Sequence, residues 1–179
     1  DFRRMNKPPD AQSLLGTDQV GRDTLSRVIY GARTSLFVAF SAVILGTTVG
    51  SLWGVACGYL RGRFDLVSQR IMEIMQSFPD LILAMAISGA LGPSLINAMI
   101  AIAIVSWPVY ARLVRGQVLS LRELEYVDAA RSLGASSGRI MWQHILPNSL
   151  PPLLVQASFD MGAAILAAAA FSAARVEAQ

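Results

Sequence analysis

From Thr34 to Leu60 the chain runs for 27 residues without one charged side chain. At about 1.5 Å rise per residue, a helix of that length exceeds the roughly 20 residues needed to cross a hydrocarbon layer. Composition agrees: 54% of the residues are hydrophobic and 15% charged, and the mean hydropathy is +0.49. Such a chain belongs in a bilayer rather than in an ordinary soluble domain. Three further spans are expected. One runs from Leu66 to Leu91 and carries Arg70, Glu73 and Asp80, one from Ser94 to Ala111, and one from about Asn148 to Ala174 with only Asp160 charged. Four spans put both ends of the chain on one side.

The formal charge is +3, but the basic residues form no single patch and aromatic stacking residues are few, which argues against nucleic acid. Arg61, Arg63, Arg112, Arg115, Arg122, Arg131 and Arg139 lie in the two connections that four spans place on one side, as cytoplasmic loops require. The leading segment opposes this with Arg3, Arg4, Lys7, Arg22, Arg27 and Arg33, partly balanced by aspartates. Charge alone therefore leaves the orientation open. Residues Asp1 to Ala32 read as a polar entry segment, in which Thr17 or Asp18 caps a short interfacial helix carrying Val20, Leu25, Val28 and Ile29. It shows no signal-peptide pattern, so insertion depends on the spans or on sequence outside the chain. Cys57, the only cysteine, reads as a packed thiol.

In the first span Gly46, Gly50, Gly54 and Gly58 recur every four residues, extending a line that begins at Ala42. Lipid gives helices no hydrophobic reason to associate, so such a ridge marks close backbone approach, within one domain or between subunits. Arg61 to Asp65 reads as a tight turn, and Arg70 and Glu73 as a helical pair. At Phe78-Pro79-Asp80 the proline interrupts the second span, and Asp80 either caps the restarting helix or serves function. Trp107, Pro108 and Tyr110 indicate an interfacial belt and a kink. Asp160 is costly near mid-membrane unless it faces a watery cavity, with the small Gly162 and Ala163 beside it, and attracts a cationic group there, stays protonated in packing, or is a misassigned residue.

Between the third and fourth spans lies a charged, glycine-broken stretch. Ser120 and Glu123 form a capping-box pattern, and Tyr126, Ala129, Ala130 and Leu133 fall at i, i+3, i+4, i+7 on one helix face. Gly134 suits the left-handed residue that ends a helix, and Ser136 or Ser137 can cap a second one running through Ile140, Met141 and Ile145 to a stop at Pro147. Residues 121–147 thus read as two short helices outside the hydrocarbon, with an alanine-lined face that invites a partner. Catalytic signatures are missing. The one lysine, Lys7, belongs to no P-loop, the one histidine, His144, has no triad context, and no cluster suits a metal. No enzymatic chemistry and no cofactor within the chain are therefore expected.

The pattern Asp128-Ala129-Ala130, Gly134 and Ile145-Leu146-Pro147 resembles the EAA loop of permease subunits in bacterial ABC importers, with Asp in place of Glu. Leu15 to Arg33, Val105-Ser-Trp-Pro108, Ala111 to Arg115, Val118 to Arg122 and His144 to Asn148 look like the dipeptide, oligopeptide and nickel subgroup. The resemblance implies an all-α, polytopic helical membrane protein of the type I ABC importer transmembrane domain, with about four of six helices in this chain. It makes Asp1 to Arg33 extracytoplasmic and 34–179 the membrane domain of a multi-pass inner-membrane subunit. The absent helices would precede Asp1 and follow the end. From Ala167 onward the tail departs from the family's usual pattern. Implied partners are a second permease subunit, two cytoplasmic ATPase subunits and an extracytoplasmic binding protein for short peptides or nickel. The resemblance assigns ATPase coupling to Tyr126, Asp128, Ala129, Ala130, Leu133, Gly134, Ile145, Leu146 and Pro147. Asp80 and Asp160 are the candidates for the translocation path. A secondary transporter using these intramembrane carboxylates is the rival reading.

Overall fold

The computed structural model describes residues 5–177, with side chains described through Ala167. Its helices are α1 (Thr24–Leu60), α2 (Gly62–Gln76), α3 (Asp80–Leu91), α4 (Leu95–Leu121), α5 (Glu125–Ser132), α6 (Ser137–Ile140) and α7 (Leu146–Glu177), with a π-helical turn at Met141–Ile145. The chain divides into two compact units, Asp1–Phe37 and Val38–Gln179.

In the first unit an antiparallel bridge joins Thr17 to Asp23. The Asp18 carboxylate accepts from the backbone N–H groups of Arg22 at 2.8 Å and Val20 at 2.9 Å, and it pairs with Arg27 at 2.5 Å. Asp18 is thereby committed to a turn and caps no helix, so the separate interfacial helix expected from Thr17 or Asp18 does not form. Asp23 takes the capping role instead, its carboxylate accepting from Ser26 N–H at 2.8 Å. α1 then runs unbroken from Thr24, ten residues before the charge-free stretch begins.

The Arg22 amide, first among several donors, holds the Asp18 carboxyl below its ordinary range. A carboxylate whose folded pKa is depressed contributes stability above its unfolded value of about 3.9, and that contribution is lost as pH falls through the folded value. The amides of Val20 and Arg22 are therefore expected to stay protected from hydrogen exchange at pH 5 and to lose protection, relative to intrinsic rates, below about pH 4. Unchanged protection down to the acid limit of folding would contradict this.

In the second unit the glycine ridge of α1 lies against α4. A Cβ on Gly46 would come within 2.6 Å of Ser106 Oγ, and one on Gly50 within 2.6 Å of both the Trp107 carbonyl oxygen and Tyr110 Cβ. Gly54 and Gly58 meet Ala111, Val114 and Val118 in the same way. α4 is longer than the expected Ser94–Ala111 span and continues to Leu121 with Pro108 inside it. Its extension carries Arg115, which grips Asp65 of α2 through two bonds of 2.6 and 2.7 Å. Just past its end, Arg122 donates to the Gly58 and Tyr59 carbonyls at 3.4 Å each. Both arginines tie the α1–α2 corner to the end of α4. The corner itself is tighter than the five residues expected, because Arg61 and Gly62 take positive φ values of 56° and 64° and α2 starts at once. The proline break turns α3 by 90° relative to α2, so the second span is a bent pair. Among the described residues three helices are long and apolar enough to cross a membrane, or four with that pair counted as one span.

Two expectations about the 121–147 stretch need correction. Ser120 lies inside the last turn of α4, where its hydroxyl bonds the Gly116 carbonyl at 3.5 Å. Leu124, without a side-chain cap, precedes α5, so no capping box forms. Pro147 does not stop the second helix. The π-turn before it has Leu146 N–H reaching back to the Met141 carbonyl, and this wider turn accommodates a residue that lacks an N–H. The Asn148 and Ser149 side chains bond the His144 and Ile145 carbonyls at 2.5 and 3.0 Å. Helix therefore runs from Ser137 into α7, and the second arm is the root of a long helix rather than a short one. The backbone of α7 is described to Glu177, whereas the side chains of the divergent tail after Ala167 lie outside the described residues.

Candidate functional site

The 121–147 hairpin has an anchored side and an open side. Val127, Ile140 and Ile145, all fully buried, share one core with Val55, Tyr110, Val114, Val118 and Leu153. Ala130, Ala135 and Leu146 pack against that core. Tyr126, Asp128, Ala129 and Pro147 are exposed, and Leu133 is 88% exposed. Asp128 forms an exposed pair with Arg131 at 2.9 Å. The nine residues assigned to this hairpin are thus split: Ala130, Ile145 and Leu146 face inward, and the rest outward. The inward anchor of α5 is Val127, which sequence reasoning passed over. Its signal was a lone β-branched aliphatic residue in an eight-residue helix whose other positions are polar, small or, at Tyr126, aromatic.

Gly134 has φ +85° and open space around the position of a Cβ. Its N–H bonds the Arg131 carbonyl and that of Ala135 bonds the Ala130 carbonyl, both at 3.0 Å. These two bonds are the Schellman pattern, which demands a left-handed residue at this point. Ser136 starts α6, its hydroxyl accepting from Arg139 N–H at 3.4 Å. The Tyr126 and His144 rings lie 6.2 Å apart and link the two arms.

A second feature is a cavity of about 390 Å³ bordered by α1, α3, α4 and α7. Val43, Ala84, Ile102, Val105 and Ala164 give it apolar walls, and its polar lining is Asp80, Ser106, Tyr110 and Asp160. Asp80 and Asp160, from different helices, therefore border one space. Asp80 sits in the first turn of α3 without capping it, since Pro79 holds the cap position and no side chain bonds the free amides. Asp160 accepts from Gln156 Nε2 at 2.9 Å. Ala163 lines the cavity, but Gly162 is exposed and does not. Among the described residues, no group of three or more metal-ligating side chains exists.

Residues 46–174 match the family described as "Binding-protein-dependent transport system inner membrane component". The chain belongs to this family. As a member it is a multi-pass protein of the bacterial inner membrane, in keeping with its apolar helices. It is 53% identical over 162 residues to the "Probable D,D-dipeptide transport system permease protein DdpC" of Escherichia coli (strain K12), covering 90% of this chain and 54% of that protein. It is 51% identical over 162 residues to the "Dipeptide transport system permease protein DppC" of Alkalihalophilus pseudofirmus, covering 90% and 53%. With the "Glutathione transport system permease protein GsiD" of Pectobacterium atrosepticum it shares 38% over 172 residues, covering 96% and 57%. The chain spans about half the length of the curated relatives it matches.

Proposed function

We propose that the chain is part of the permease subunit of an ATP-driven importer of short peptides. The observation that carries this reading is the hairpin: an exposed face of Tyr126, Ala129 and Leu133 on a support bolted into the core by Val127, Ile140 and Ile145. A groove on a cytoplasmic ATPase would receive that face. Because the same core holds Val114 and Val118 of α4 and Leu153 of α7, a displacement of the hairpin carries both helices with it. ATP binding in two ATPase subunits would thus rock α4 and α7 between inward and outward openings. A second permease subunit would complete the path, and an extracytoplasmic binding protein would deliver peptide to it. Residues 1–33 lie outside the cytoplasm in this reading, and 34–179 form the membrane domain. The names of the relatives favour peptides over nickel as cargo.

Uptake of radiolabelled L-alanyl-L-alanine tests the proposal in a bacterial strain stripped of peptide importers and supplied with the full-length subunit and its partner genes. Uptake is expected to vanish when the P-loop lysine of the ATPase is replaced. Uptake that survives this replacement and follows the proton gradient would favour a secondary transporter instead.

A further inference from the structure

We infer that the cavity between α3, α4 and α7 receives the protonated amino group of the transported peptide, held by Asp160 and Asp80 with the Tyr110 hydroxyl. This deepens the peptide-permease reading and rests on it. The cavity carries two carboxylates from different helices, and neither forms an ion pair with an arginine or lysine among the described residues. Carboxylates bordering a mainly apolar space are stabilised by a positive partner, and a cationic ligand would supply one here. Tyr110 supplies an independent observation. It is fully buried and lines the cavity, and its hydroxyl stands beside Asp160 and Thr47 without a bond of ordinary length to either. A hydroxyl so placed can turn its proton toward Asp160 while its oxygen accepts from an incoming N–H group.

The chemistry of the lining narrows the guest. Ser106 spends its proton on the Ile102 carbonyl at 2.9 Å, so toward the cavity it can only accept. Asp160 has given one oxygen to Gln156. What remains is mostly acceptors: carboxylate oxygens, the Ser106 oxygen and the Tyr110 oxygen. Three N–H donors of an ammonium group match such a set. Nickel favours nitrogen and sulfur ligands, but the only histidine, His144, and the only cysteine, Cys57, are absent from the lining. Small aliphatic walls at Ala84, Ala163 and Ala164 leave room for a short side chain, and about 390 Å³ falls within the usual range of roughly 300–1,000 Å³ for small-molecule sites.

The test uses the full-length subunit assembled with its second permease and ATPase subunits in lipid nanodiscs, without the binding protein. Equilibrium binding of radiolabelled L-alanyl-L-alanine is compared with that of N-acetyl-L-alanyl-L-alanine, whose amino group carries no charge. Loss of one charged hydrogen bond is worth about ten-fold or more, so the acetylated peptide and the Asp160→Asn complex should each bind at least about ten-fold more weakly. Asp160→Glu should recover most of the affinity, and Tyr110→Phe should weaken binding by about three-fold or more. If Asp160→Asn does not assemble, Tyr110→Phe and the acetylated peptide decide the matter. Equal binding of the two peptides, undiminished binding in Asp160→Asn or Tyr110→Phe, or no binding of either peptide to the wild-type complex would overturn the inference. ATP-dependent uptake by the wild-type transporter would leave the permease reading standing in each case, whereas its absence would remove both.

Discussion

Replacing Gly50 by leucine is expected to abolish recovery of the folded subunit. A Cβ at this position alone would come within 2.6 Å of the Trp107 carbonyl oxygen and 3.0 Å of the Ala111 backbone nitrogen. Those obstacles are backbone, so no side-chain rotation relieves them, and α1 must move away from α4. Overpacking of this kind costs about 1–3 kcal/mol and occasionally more, and in lipid no hydrophobic gain holds the separated helices together. The core beyond the ridge would open with it, since Val55 of α1 and Tyr110, Val114 and Val118 of α4 pack together there. Gly31→Leu is the matched control, because a Cβ there meets nothing within 4 Å. Extraction in mild detergent followed by thermal unfolding measures the difference. Equal recovery and equal midpoints for the Gly50 and Gly31 variants would contradict the packing described.

Gly134→Val is expected to cut transport by roughly ten-fold or more while membrane insertion stays intact. The open space around Gly134 means that valine meets no steric obstacle, so the whole effect comes from φ +85°. A β-branched residue held there costs about 1–3 kcal/mol. That strain loosens the Schellman bonds of Gly134 and Ala135 and lets the α5 face drift relative to its anchor. Asn tolerates the left-handed region, so Gly134→Asn should retain much of the uptake. Wild-type uptake in Gly134→Val, with normal subunit levels, would sink the claim.

These two glycines illustrate what could be read from residues and what could not. The four-residue spacing of Gly46 to Gly58 announced a close approach, but only the fold names α4 as the helix that comes close. Gly134 ended α5 as its neighbours suggested, because a C-terminal cap depends on residues within one turn. Pro147 misled for the opposite reason. Proline usually breaks a helix, and the π-turn that carries this one through needs an adjustment by residues a full turn earlier. Val127 was passed over because the i, i+3, i+4, i+7 pattern of Tyr126, Ala129, Ala130 and Leu133 describes a face without saying which side is buried. α1 begins before the charge-free stretch because Arg27 and Arg33 tolerate helix well, and hydropathy detects apolar runs rather than helix ends. The meeting of Asp80, Tyr110 and Asp160 depends on the 90° bend between α2 and α3 and on the α4–α7 packing, neither of which leaves a local mark.

Docking of the hairpin's outer face on an ATPase, as proposed, is open to a test by proximity. The native Cys57 is fully buried, so single cysteines can be introduced over a quiet background. In the assembled full-length transporter, Ala129→Cys and Leu133→Cys should cross-link to the ATPase subunit through a short bifunctional maleimide. Val127→Cys, facing the core, and Phe159→Cys, exposed on α7, should not. Failure of both hairpin cysteines to reach the ATPase, or equal cross-linking from Phe159→Cys, would contradict the account.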